Sequence, residues 1–314
     1  MKNLLIVILS FLFLAACNKI EYTPKYRDFE NAWQRENLIG KVKILEQYRA
    51  YISGDEGSKV GRPVIEFKKE YTLAGDLLRQ EFFNNYGELE HLIENKYDEK
   101  GFCIESYSEN TTMSMKTLEN SEFDPVLKKR ISVHAVYNDT LTFDAFFSYD
   151  KHGNILKQTN IKNGDTTLVK FEYEYDSEDR VVFKKQVNYV VFGGNETTNK
   201  FEFDSNGNLI EIDTKSGFMG ESRTVYTYDN NNRIRKISAY KQGDLETETL
   251  YDELYNMIAV SFYANGELEK VTKYKYKFDK KGNWIQRDAF LKEHSGDEAA
   301  VPIFTETREI EYFE

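Results

Sequence analysis

Tyr149-Asp150-Lys151-His152-Gly153-Asn154-Ile155-Leu156 is one copy of a unit that recurs almost to the end of the chain. Aromatic-Asp markers fall at Tyr97-Asp98, Tyr149-Asp150, Tyr175-Asp176, Phe203-Asp204, Tyr228-Asp229, Tyr251-Asp252 and Phe278-Asp279. A weaker marker, Phe123-Asp124, lies midway between the first two, and 26 residues before Tyr97 stands Tyr71-Thr72. Nine copies result, spaced 26, 26, 26, 26, 28, 25, 23 and 27 residues apart, with Tyr312 marking a truncated tenth. A period of this length gives one supersecondary unit per copy, and no unit can bury its apolar face alone. The 314 residues are therefore expected to form one continuous array rather than two domains.

The columns of the repeat say what the unit is. The approach to each marker alternates with period two: Phe171, Tyr173 and Tyr175 oppose Glu172 and Glu174, and Tyr274, Tyr276 and Phe278 oppose Lys273, Lys275 and Lys277. That is a half-buried strand. Four residues past the marker stands Gly75, Gly101, Gly153, Gly207 or Gly282, and six past it stands Leu77, Cys103, Ile155, Val181, Leu209, Ile234, Met257 or Trp284. Asp bonds nearby backbone and Gly supplies positive φ, so the marker opens a turn into a second strand. The copy at Phe123 breaks the apolar column with Lys129 and the turn with Pro125. Turns such as Asn163-Gly164-Asp165 and Asn265-Gly266-Glu267 close each unit.

The expected fold class is all-β: a long antiparallel meander of nine or ten hairpins, roughly 18 to 21 strands. At about 4.8 Å per strand a flat sheet would run roughly 90 to 100 Å. Its aromatic face cannot stay wet. The sheet must curl, spiral, split into two packed sheets or close, with the aromatics inside. An open edge, if one remains, is a docking surface.

The pattern Tyr-Asp-x-x-Gly-Asn-Leu/Ile resembles the YD repeats of RHS proteins over roughly residues 65 to 314. That resemblance implies a β-hairpin repeat shell. Encapsulation is not carried over, because the chain is short for a shell around a cargo, and autoproteolysis is not, because Asp124-Pro125 is not followed by the Gly that the RHS self-cleavage region implies. A weaker similarity, at Tyr263-Ala264-Asn265-Gly266-Glu267-Leu268, is to the MORN-like repeats of some antitoxin and immunity proteins.

The N-terminus differs from the array. Lys2 and the apolar run Leu4 to Phe13 make a secretory signal too short to span a bilayer. Leu14-Ala15-Ala16-Cys17 resembles a bacterial lipobox, which implies cleavage after residue 16 and lipid on Cys17. The expected division is a signal peptide (1–16), a lipidated tether with a short helix (17–38) and a hairpin-repeat domain (39–314). Residues 28 to 37 are the candidate helix, with Asp28 as cap and Phe29 and Trp33 on one face, suited to plugging an end of the sheet. By family analogy, Asn18 after the Cys directs the protein to the outer membrane of a Gram-negative cell, on either face. A net charge of −11 argues against nucleic acid as a partner. With Cys17 lipidated, Cys103 has no partner for an intrachain disulfide.

Catalytic, metal and cofactor signatures do not emerge. His91, His134, His152 and His294 fall in no metal spacing. Cys103 sits in the apolar column and reads as a small buried hydrophobe. The Asp column reads as turn chemistry rather than a calcium site, because its members are spaced along an edge and do not converge. Trp33 and Trp284 are the candidate ligand-binding residues, as platforms for stacking a sugar. The expected function is a non-enzymatic outer-membrane lipoprotein, a binding or scaffold module with an envelope protein partner. A glycan-binding surface protein and an immunity-type lipoprotein are the alternatives.

Overall fold

The structure is a computed structural model and describes residues 31–53, 59–189, 195–217, 219–293 and 299–314. The signal peptide, Cys17, Asp28, Phe29 and His294 lie outside the described residues.

A single helical turn, α1 (Ala32–Arg35), precedes the strands. They begin with β1 (Val42–Ser53), the two-residue β2 (Lys59–Val60), β3 (Val64–Tyr71), β4 (Leu77–Phe83) and β5 (Leu89–Tyr97). Next come β6 (Cys103–Asn110), β7 (Met115–Asp124), β8 (Lys129–Tyr137), β9 (Leu141–Tyr149) and β10 (Ile155–Lys162). The middle of the array is β11 (Asp165–Tyr175), β12 (Val181–Tyr189), β13 (Asn195–Phe203), β14 (Leu209–Ser216) and β15 (Gly220–Tyr228). The last six are β16 (Ile234–Lys241), β17 (Asp244–Tyr251), β18 (Met257–Ala264), β19 (Glu267–Phe278), β20 (Trp284–Glu293) and β21 (Val301–Tyr312).

From β3 onward each strand pairs antiparallel with the next, as a meander requires. The ring then shuts. β1 pairs with β3 on one side and with β21 on the other, Gln47 facing Phe67 and Arg308. A closed antiparallel barrel of 20 strands results, with β2 appended to β1. Closure removes the open edge that the sequence left available. The YD turns lie on one rim and the Gly-type turns on the other.

Directly paired residues share a face, so register carries each side chain's orientation around the ring. One set runs through Tyr276, Arg287, Glu306 and Arg49, and the opposite set through Glu172, Lys185, Thr198, Lys215 and Glu221. The first set supplies Leu45, Val133, Ala145, Leu209 and Glu306, all buried, and faces the lumen. The second set is charged at mid-strand and faces out. A barrel that spans a membrane presents apolar side chains there, since a midplane Lys or Arg costs about 2–4 kcal/mol. No described helix is long and apolar enough to cross a membrane either.

The aromatic face is only half aromatic. Tyr71, Tyr97, Tyr149, Tyr173, Phe201, Tyr226 and Tyr276 cluster on the lumen side toward the YD rim, around cores such as Ile155, Val169 and Phe171. Toward the Gly-turn rim the same face continues as Asn160, Gln186, Asn188, Thr197, Thr214 and Thr247. This half of the lining is polar, and Gln80, Ser108, Thr117 and Gln158 at its inner margin are buried.

Residues 31–40 lie across the YD rim. The helix is shorter than residues 28–37, with Asn31 rather than Asp28 as cap: Gln34 N–H donates to Asn31 Oδ1 at 3.2 Å. Ala32 N–H donates to the Gly75 carbonyl, Asn37 Nδ2 to the Leu254 carbonyl, and Ile39 N–H to Asn283 Oδ1. Gly75 has φ +90°, and a Cβ there would stand 2.6 Å from the Trp33 ring.

Candidate functional site

Each motif residue has a structural job. Asp150 Oδ1 accepts from the backbone N–H of His152 at 2.9 Å and of Asn154 at 2.8 Å. Asp98, Asp176, Asp204, Asp229, Asp252 and Asp279 repeat the pattern in their own turns. Gly153 takes φ +84° at the fourth position, while Asp179, Asn232 and Tyr255 take the same left-handed conformation with side chains. Tyr255 carries the larger strain, and its ring stacks on Tyr251 at 4.6 Å. Burial pushes the Asp150 carboxyl up, but the Tyr175 hydroxyl and the two backbone N–H groups together hold it below its usual range. Among the described residues no group of His, Cys, Asp or Glu is placed to hold a metal ion.

The tyrosines staple one copy to the next. Tyr97 OH donates to the Leu77 carbonyl at 2.7 Å, Tyr228 OH to Leu209 at 2.6 Å and Tyr276 OH to Met257 at 2.6 Å. Tyr149 OH reaches the Arg130 carbonyl in the same way. Tyr175 and Tyr312 instead donate to the Asp of the preceding turn, Asp150 and Asp279.

The copy at Phe123 does form a hairpin, but with a longer turn. Phe123 pairs with Arg130, so Arg130 and not Lys129 fills the apolar column. Arg130 is buried to 3% exposure, and its Nε and Nη1 have no hydrogen-bond partner among the described residues. Nearby, Glu119 is buried on the lumen side; burial pushes its carboxyl up and the Arg130 guanidinium down.

A second set of buried charges sits where the ring closes. Glu306 on β21 is fully buried; its Oε1 accepts from Arg49 Nη2 on β1 at 2.5 Å, and its Oε2 accepts from the Arg287 guanidinium on β20. Arg49 also meets Glu66 at 3.0 Å, and Gln47 Nε2 donates to Glu66 at 2.8 Å. Arg308 Nε donates to Gln47 Oε1 at 3.0 Å, and burial pushes its guanidinium down to about 10. Toward the Gly-turn rim this seam opens into a cavity of about 550 Å³ between β1, β3 and β4, walled by Arg49, Glu66, Phe67, Phe82, Tyr51 and Glu90. The volume suits a small ligand, and the aromatic and charged walls give it an amphipathic lining. No local motif announces these residues, since Arg49 and Glu306 are 257 positions apart in sequence.

Neither Trp33 nor Trp284, the two residues expected to bind a ligand, is part of this cavity. Trp33 packs against Tyr71 at 6.5 Å and its Nε1–H donates to the Val42 carbonyl. Trp284 lies on the lumen face with the Arg308 guanidinium 3.5 Å from its ring centre, so that face is taken by a cation. His134 Nδ1 pairs with Asp144 on the outer face, and His152 stacks on Tyr175. Cys103 fills the apolar column, 4% exposed.

None of the curated proteins matches this chain. Among solved structures it is similar to a porin-like protein from Bacteroides uniformis, at 13% identity and TM-score 0.37, covering 86% of this chain and 98% of that one. It is also similar to two structures of a TcdB2–TccC3 complex. One, with Cdc42, has 13% identity and TM-score 0.29; the other, without the hypervariable C-terminal region, has 10% and 0.31. Each match covers 86% of this chain but only 18% and 19% of those chains. The model of the Teneurin YD-shell family matches residues 65–298, the span of all nine turn copies. With its repeat columns, stapling tyrosines and closed ring of hairpins, this chain belongs to the Teneurin YD-shell family.

Proposed function

We propose that this protein is a lipoprotein of the cell envelope, anchored through Cys17 in the outer membrane, whose barrel is a non-enzymatic binding or scaffold module. One observation carries the reading. The repeat's recurring polar groups are spent on turns and staples, while the polar half of the lumen and its cavity of about 550 Å³ remain for a partner or ligand. Membership in a shell family supports a scaffold role, and the charged outer face supports a barrel held at a membrane rather than within it.

Metabolic labelling with an alkyne fatty acid tests the anchor: label on the wild type, lost in Cys17→Ala, supports it. An unlabelled wild type removes it. For the scaffold role, gentle solubilisation and pull-down recovers a stoichiometric envelope protein. Recovery of the barrel alone under several mild detergents counts against it.

A further inference from the structure

We propose that the YD-turn rim, over the sector from β3 to β10, is a membrane-contact surface resting in the interface of the lipid layer that holds the anchor. The inference rests on the lipoprotein reading above and adds an orientation: YD rim toward the membrane, Gly-turn rim and cavity away from it.

The first observation is the turn at Phe123. Elsewhere the two variable turn positions are mostly polar, as in Ser177-Glu178, Ser205-Asn206 and Asn230-Asn231. Here the longer turn carries Pro125-Val126-Leu127. Val126 is 86% exposed and Leu127 47%. Both backbone N–H groups donate to Asp124 Oδ1 at 2.7 Å, so the turn is organised and its apolar side chains are held outward. Turn formation does not require apolar residues there; the copies at Tyr175, Phe203 and Tyr228 fold without them.

The second observation is what surrounds that tip. Leu73, Leu78, Ile104, Ile131 and Leu156 are all exposed in or beside the four successive YD turns of this sector. Lys100, Lys128 and Lys151 are exposed in the same turns. Short aliphatics flanked by lysines suit a bilayer interface: the apolar groups enter the acyl boundary, and lysine stems let the ammonium groups reach headgroup phosphates. A protein-binding patch would be expected to centre on Tyr, Trp or Arg.

The third observation is where the chain leaves the barrel. Residues 31–40 are bonded to this rim at Gly75, Leu254 and Asn283. The described chain therefore begins on the YD side. Thirteen residues lie between Cys17 and Asn31, a reach of at most about 50 Å. That tether alone would permit either rim to approach the lipid. Tyr86 and Met113 are also exposed on the opposite rim, but Glu88 stands beside Tyr86 and no lysine lies in either turn, so the combination of aliphatics with lysines selects the YD rim.

The test uses the full mature chain exported without Cys17, so that no acyl chain contributes. It is floated with vesicles of phosphatidylethanolamine and phosphatidylglycerol. Wild type is expected to co-float. The double variant Val126→Asp/Leu127→Asp should lose at least about tenfold in partitioning, while Tyr189→Asp on the opposite rim should float as wild type. Matching circular dichroism and thermal midpoints establish that the variants fold. Absence of co-flotation by wild type, or undiminished flotation by the double variant, overturns the proposal. So does a double variant that keeps vesicle binding but loses a protein partner in pull-down, which would make the sector a protein-docking surface. Acyl labelling of the native chain reports on the anchor separately, so failure of the rim and failure of the lipoprotein reading are distinct results.

Discussion

Glu306→Gln tests whether the buried seam holds the barrel shut. The Glu306 carboxylate is fully buried and is shared by Arg49 and Arg287, one from each neighbouring strand. Gln keeps the shape and one acceptor but removes the charge. Arg287 then has no carboxylate partner among the described residues, and Arg49 keeps only Glu66 at 3.0 Å. Breaking one side of a buried ion pair costs about 3–5 kcal/mol, because the desolvation of the remaining charge is uncompensated. Urea unfolding of the unlipidated chain should show a loss of that size. Hydrogen exchange should rise first in β1, β20 and β21, because these strands make the seam. A loss under about 1 kcal/mol, or exchange that rises evenly around the ring, would refute the idea that charge holds the closure. The apolar triple variant Arg49→Met/Glu306→Leu/Arg287→Met separates energy from specificity. It should be near neutral or more stable if the network serves mainly to select register.

Three other outcomes follow from the same geometry. Tyr276→Phe removes the 2.6 Å hydrogen bond to Met257 and keeps the ring, so it should cost about 0.5–1.5 kcal/mol in urea unfolding. Gly75→Ala places a Cβ against Trp33 at φ +90°, so limited proteolysis should cut near residues 31–40 much faster than in wild type while the barrel core stays protected. Burial raises the Glu119 pKa above its unfolded value of about 4.3, so the stability this group contributes is full below that value and is lost as pH rises through the folded pKa. Glu119→Gln should therefore melt higher than wild type at neutral pH, and the two should converge in acid; a Gln variant that melts lower at neutral pH would show that Glu119 is needed to offset Arg130.

The two buried charge sets differ in how they relate to the repeat. Arg130 replaces an apolar column residue because the turn before it is one residue longer, which moves the column from Lys129 to Arg130. That shift is hidden in a linear reading, where a count of six from Phe123 ends on Lys129. Glu306, Arg49 and Arg287 follow the period-two pattern and look ordinary within their strands. Their meaning comes only from the strands they are brought beside.

Sequence alone determined the unit and its multiplication. Tyr149, Asp150, Gly153 and Ile155 specify a strand, a turn and a second strand through contacts within a few residues, and such chemistry is legible from spacing. The aromatic row likewise required an inside. Whether that inside belonged to a spiral, a sandwich or a ring was left open, because each satisfies the same local pattern. Only the tertiary structure decided that β1 meets both β3 and β21. It also decided that the cavity lies beside that seam, that Trp33 packs on Tyr71 at the YD rim and that Trp284 packs against Arg308 on the lumen face. The physical reason is range: the turns are fixed by neighbours in the chain, whereas closure is fixed by residues more than two hundred positions apart that meet only once every hairpin between them has formed.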